Sequence, residues 1–115
     1  MSNDEKDDLL FRALAHRARR RMVDALKTGA KTTGMLCELF PELDRCTVMQ
    51  HLKVLDEAGL LIIERRGRER WNQLDALPIH AIHERWIGPY AAYAASMLGK
   101  LKRASERKDL VNQSS

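Results

Sequence analysis

Asp44-Arg45-Cys46-Thr47-Val48-Met49-Gln50-His51-Leu52-Lys53-Val54-Leu55-Asp56-Glu57-Ala58-Gly59-Leu60-Leu61 is the stretch on which the reading of this 115-residue chain turns. It has both ends of a helix. Asp44 carries a carboxylate that can accept the free N–H groups of a first turn, and Gly59 can take the left-handed conformation that stops the last one. Between them Val48, Leu52 and Leu55 recur at spacings of four and three, so they share one face, and that face must be buried. At about 100° per residue the opposite face is centred on Cys46, Gln50, Lys53 and Glu57. Arg45 and Met49 flank it on one side, Thr47 and Val54 on the other. An amide, two cations and a hydroxyl near a helix N-terminus suit the base edges and phosphates of a DNA major groove. Taken alone, the helix reads more plainly as an amphipathic surface element with a solvated outer face.

The residues after Gly59 shift that balance. Leu60-Leu61-Ile62-Ile63-Glu64-Arg65-Arg66, then Gly67, then Arg68-Glu69-Arg70-Trp71-Asn72-Gln73-Leu74 form two short runs with β-branched and aromatic residues. They predict a β-hairpin with a tight turn at Arg66-Gly67. Four of the six residues from Arg65 to Arg70 are arginine. A tip so charged is not core; it is a solubilising loop or a wing lying along phosphates. A capped helix followed by a basic hairpin is the winged helix-turn-helix pattern, mainly α with a small β-hairpin, and it favours the DNA reading.

Composition sets the outer bounds. A chain of 115 residues, 44% hydrophobic, allows one domain with a modest core; residues 1–8 are expected to be flexible or to supply the negative first turn of a helix, and about 108–115 to be flexible. Lys and Arg number 20 against 16 Asp and Glu, a formal net charge of +4, the sign expected of a polyanion binder. No apolar stretch approaches the roughly 18 residues of a membrane span, and no signal-peptide pattern precedes the acidic start. Two cysteines, far from the density of a secreted disulfide scaffold, fit a reducing cytoplasm. No nucleophile–base pair, paired carboxylates or phosphate-cradling glycine loop stands out, so neither an enzyme nor a bound cofactor is expected.

Before the central stretch, Leu9, Leu10, Phe11, Leu14 and Ala15 predict a short apolar helix ending near His16. A second runs from about Arg17 to Lys27 and stops at Gly29, with Arg17, Arg19, Arg20 and Arg21 crowding its start, either as a solvated face or as backbone and acidic-side-chain partners. Thr32 or Thr33 caps a third helix that turns Met35, Leu36, Leu39 and Phe40 inward and ends at Pro41. In a helix-turn-helix this element crosses the DNA backbone, which makes Thr32 and Thr33 phosphate candidates as well as caps. After the hairpin, Pro78 suits the first turn of a long helix. Ile79, Ile82, Trp86, Tyr90, Tyr93, Met97 and Leu101 follow at spacings near 3.5, the seam of a helix that pairs with other helices. Gly88-Pro89 predicts a kink or break in it, and Asn112 to Ser115 are expected to be disordered.

The run Thr47-Val48-Met49-Gln50-His51-Leu52-Lys53-Val54-Leu55-Asp56-Glu57-Ala58-Gly59-Leu60 resembles the recognition-helix signature of the ArsR family of bacterial winged-helix repressors. So does Leu14-Ala15-His16-Arg17-Ala18-Arg19-Arg20-Arg21-Met22, and the resemblance covers about residues 9–98. Phe40-Pro41-Glu42-Leu43-Asp44-Arg45 is one residue longer than the usual turn, and Cys46 stands where Pro or Ser is common. The resemblance implies a homodimer built from the first and last helices, here through Leu10, Leu14, Ile79, Ile82, Trp86, Tyr90, Tyr93 and Met97. It also implies double-stranded DNA as partner and release by an unknown small molecule or metal. Gln50 is the first base-reading candidate, because its amide can address adenine bidentately. Arg45 could take guanine or phosphate, while Lys53, Arg66 and Arg68 are assigned to phosphate. Thr33, Cys46, Thr47, Met49, His51 and Arg65 complete the expected DNA face, with His16 and His51 expected to hydrogen-bond locally or to touch phosphate. Metal-sensing relatives carry Cys-x-Cys in the third helix, where this chain has Cys37 alone. His80 and His83 share a face beside Glu84, with no second ligand pair three turns on. Cys37, His80 and His83 are the weak metal candidates, and Cys46 is the redox candidate. A metal- or thiol-responsive repressor and a protein-interaction module that no longer binds DNA are the competing readings.

Overall fold

In a computed structural model of the chain, residues 2–113 are described, with side chains through Asp109. The elements follow in the order α1 (Asn3–Leu14), α2 (Arg17–Leu26), β1 (Lys31–Thr32), α3 (Thr33–Leu39), α4 (Arg45–Glu57), β2 (Leu61–Arg66), β3 (Glu69–Leu74), α5 (Leu77–Ile82), a π-helical segment (His83–Ile87) and α6 (Gly88–Gln113). They fall into two compact units, one ending at Ile79 and one beginning at His80.

The first unit begins with α1, whose acidic opening residues form its first turn. The Ser2 hydroxyl accepts the Glu5 N–H at 3.2 Å, and Asp4 and Glu5 put negative charge at the positive end of α1. Arginines hold its other end. Arg19 Nε donates to the Ala13 carbonyl at 2.7 Å and Nη2 to that of Arg12 at 3.1 Å, while Arg20 Nη1 donates to that of Leu14 at 2.8 Å. These are among the carbonyls that a helix leaves without partners at its C-terminus. Two members of the arginine run are therefore backbone caps that fix the corner between α1 and α2.

Leu10, Ala13, Met22, Val23, Leu26, Leu36, Phe40, Val48, Leu52, Leu55, Leu60 and Leu61 are the buried apolar side chains of this unit. The buried face of α4 is the one its spacing predicts. Burying a side chain of this size contributes about 1.5–3 kcal/mol. Leu10, only 3% exposed, is core within the protomer and so leaves the expected dimer surface, and Leu14 is half-buried. Met35 and Leu39, expected to point inward, are exposed. The seven-residue α3 offers a single narrow stripe, occupied by Leu36 and continued by Phe40.

Both ends of α4 are closed locally. Asp44 Oδ1 accepts the Thr47 N–H at 2.7 Å. At the other end Leu60 N–H reaches the Leu55 carbonyl at 3.0 Å and Gly59 N–H that of Asp56 at 2.9 Å. That pair of bonds is the Schellman closure, and it needs the φ of +80° that Gly59 adopts. Leu55 and Leu60, at the two positions that touch in such a closure, are both fully buried.

The sheet has three antiparallel strands in the order β1-β3-β2. The β2–β3 hairpin is as expected, but its loop is Gly67-Arg68 rather than Arg66-Gly67, because Arg66 pairs with Glu69. Gly67 has φ +62° at the first loop position and no non-glycine among the described residues has positive φ, which fits a type II′ turn. The unexpected strand is β1, whose Lys31 and Thr32 pair with Asn72 and Trp71. Asn72, 0% exposed, fastens it: Nδ2 donates to the Lys31 carbonyl and to Thr33 Oγ1, each at 3.3 Å.

In the second unit the helix continues through Gly88-Pro89 without a break. The Gly88 N–H bonds to the His83 carbonyl, five residues back, so the proline sits just after one wide turn. A Cβ at Gly88 would lie 3.0 Å from that same carbonyl oxygen, so the glycine is what permits the approach. α6 then runs 26 residues to Gln113. Asn112 and Gln113, expected to be disordered, are helical; Ser114 and Ser115 lie outside the described residues. Ile82 is 4% exposed. Trp86, Tyr90, Tyr93, Met97 and Leu101 are exposed, with Trp86 and Tyr90 rings 5.0 Å apart. No helix among the described residues is long and apolar enough to cross a membrane.

Candidate nucleic-acid interface

The polar face of α4 is held outward by the burial of the opposite one. Arg45, Cys46, Met49, Gln50 and Lys53 are exposed, and Thr47 is half-exposed. The cap that starts this face is robust to acid: the Thr47 N–H and hydroxyl stabilise the ionised Asp44 carboxyl and hold its pKa below the usual carboxylate value. His51 is not part of the face. It is 8% exposed, its ring lies 4.5 Å from that of His16, and its Nδ1 lies 3.3 Å from Arg19 Nη1. Its position, three residues after Val48 and four before Leu55, turns it inward.

Strand alternation sorts the arginines of the wing. Arg65 and Arg70 stand directly opposite each other in the register. With Arg45 and Met49 of α4, Thr32, Thr33 and Gly34 at the start of α3, and Arg68 and Glu69 of the tip, they line a cleft of about 330 Å³. Arg66 projects from the other side of β2. Its Nη2 meets Glu64 Oε2 at 3.1 Å and its guanidinium lies 5.0 Å from the centre of the Trp71 ring. The pair holds the Glu64 carboxyl below, and the Arg66 guanidinium above, their ordinary pKa values. Thr33 is buried and accepts from Asn72, so its hydroxyl is structural although the residue lines the cleft. Arg70 was absent from the expected site. The hairpin register would have found it, since Arg70 is the cross-strand partner of Arg65 and shares its face.

His80 Nε2 and His83 Nδ1 each come within 4.0 Å of Glu84 Oε1. Cys37 is half-buried in α3 and Cys46 exposed on α4. Among the described residues no three His, Cys, Asp or Glu side chains gather as a metal-binding set.

Residues 14–64, from the α1–α2 corner into the wing, match the helix-turn-helix domain family. Over 82 residues the chain is 37% identical to the HTH-type transcriptional regulator Rv2034 of Mycobacterium tuberculosis, covering 71% of this chain and 76% of that protein. The crystal structure of an ArsR family transcriptional regulator, RHA00566, superposes with a TM-score of 0.71 at 25% identity, over 83% of this chain and 96% of the other. The chain belongs to the ArsR family of winged helix-turn-helix transcriptional regulators. This ArsR-family protein is accordingly a DNA-binding transcriptional regulator. A second structure, titled a possible transcriptional regulator for arsenical resistance, matches at TM-score 0.63 and 29% identity over 77% of this chain and 92% of its own. In an ArsR-family regulator α3 and α4 are the helix-turn-helix and the β2–β3 hairpin is the wing.

Proposed function

We propose that this regulator is a repressor that binds an inverted-repeat operator as a homodimer, with α4 of each protomer in a major groove. The observation that carries the reading is the exposed row of Arg45, Gln50 and Lys53 on α4 beside a cleft edged by Arg65, Arg68 and Arg70. Gln50 reads a base edge, because an amide can donate to and accept from adenine at once. Arg45 reaches guanine or phosphate, and Lys53, Arg65 and Arg68 hold the backbone and fix position rather than sequence. The exposed Trp86, Tyr90, Tyr93 and Met97 supply the surface on which a second copy packs. The protein acts by occupying DNA and not by catalysis.

The test is a titration of wild type and Gln50→Ala against a preferred duplex and a random one. Gln50→Ala should cost about 1–3 kcal/mol per half-site on the preferred duplex and little on the random one. Equal loss on both would put the reading face elsewhere. No binding to any duplex at low salt would favour an interaction module that has kept the fold.

A further inference from the structure

We propose that the cleft between the wing and the N-terminal half of α4 is a binding site for one phosphate-class oxyanion, gripped between the guanidiniums of Arg65 and Arg70. As regards its source, the inference rests on the DNA reading above, in which a backbone phosphodiester fills the site; a free phosphorylated molecule has the same chemistry.

The strand register is the first reason. Arg65 and Arg70 are direct cross-strand partners, and like charges so placed destabilise a strand pair. Among the described residues, Arg45, Arg65, Arg68 and Arg70 form no ion pair, whereas Arg66 on the opposite side of the same hairpin has Glu64. Four guanidiniums and one carboxylate, that of Glu69, edge a single cleft of about 330 Å³. A repulsive arrangement kept in an otherwise consistent hairpin is what an absent anion would relieve.

Arg70 itself is the second reason. It is half-buried, and its Nε is enclosed without a hydrogen-bond partner. A charged donor withdrawn from water and left unbonded is unfavourable unless an acceptor arrives. The guanidinium is a planar fork that pairs two N–H groups with two oxygens, and tetrahedral phosphate can present oxygen pairs to two forks at once. The walls are set in advance, since Asn72 fastens Lys31 and Thr33 from the same strand that carries Arg70. A phosphate seated there also meets Arg45 of α4. It would therefore fix the approach of the reading helix to the backbone, a positioning role.

The probe is inorganic pyrophosphate, titrated into DNA-free protein at constant ionic strength and followed by the Arg70 Nε–H resonance and by Tm. Wild type should show a saturable shift and a rise in Tm. Arg65→Gln, a change at an exposed residue, and Arg70→Gln should each weaken binding at least tenfold, and Arg66→Gln by less than twofold. In the DNA arm, single neutral methylphosphonates placed along the duplex should reveal one sensitive phosphate per half-site, to which Arg70→Gln is indifferent. An unsaturable shift, or equal weakening by Arg66→Gln, would overturn the site and leave only diffuse positive charge. Pyrophosphate binding with the expected arginine dependence, but no duplex binding, keeps the site, assigns it to a free phosphorylated ligand and sinks the DNA reading. Gln50-dependent DNA binding with no dependence on Arg65 or Arg70 does the reverse.

Discussion

At the scale of single residues, His51 ties the reading helix to the corner that supports it. Arg19 can only donate, so His51 Nδ1 must accept, and the ring proton of the neutral side chain sits on Nε2. A second proton would face the Arg19 guanidinium and, 4.5 Å away, the His16 ring. Burial chiefly, and then the charge of His16 and Arg19, lowers the His51 pKa. The unfolded chain binds a proton near pH 6.5 that the folded chain resists, so stability is present above that pH and lost as pH falls below it. Tm should therefore drop between about pH 7.5 and about pH 5.5, and His51→Gln should flatten the slope. An unchanged slope in that variant would assign the acid loss to other groups. The burial of His51 was legible in the spacing 48, 51, 52, 55, and of its two expected roles, a local hydrogen bond or a phosphate contact, it makes the first. Arg19 was not legible in the same way, since its partners are backbone carbonyls whose position depends on how α1 meets α2.

At the scale of elements, what the sequence revealed depended on how local the determinants were. Both ends of α4 are written within a few residues, by Asp44 and by Gly59, and the helix forms where they place it. β1 is two residues long and has no periodicity to read; it exists because Asn72 and the free edge of β3 receive it. The hairpin loop was displaced by one residue because Gly67 marks a turn without saying which side of it the second loop residue lies. Gly88-Pro89 signalled a disturbance correctly, but not that one wide turn would absorb it. The weight carried by Gly59 can be measured. Gly59→Ala meets only the Pro78 side chain at 3.8 Å, so its penalty comes from the φ of +80°. It should cost about 1–2 kcal/mol in unfolding free energy, with DNA affinity unchanged well below Tm. A variant as stable as wild type would mean that the turn closes in another conformation.

At the scale of the whole molecule, the claim is that two copies act together. Tyr93 is 66% exposed in the protomer, so a charge there costs a lone protomer little. In a dimer packed on that face the same charge is buried without a partner. Tyr93→Glu should thus lower the mass measured by light scattering toward that of one chain, and make Tm less dependent on protein concentration. A variant that stays dimeric would move the interface elsewhere. With a formal charge of +4 per chain, a dimer carries twice that toward DNA. The most direct test of paired DNA recognition is selection of bound sequences from random duplex DNA by the intact protein. One enriched inverted repeat is expected, its half-sites one helical turn apart, about 34–36 Å centre to centre. A lone half-site without a symmetric mate, or no enrichment at all, would contradict it.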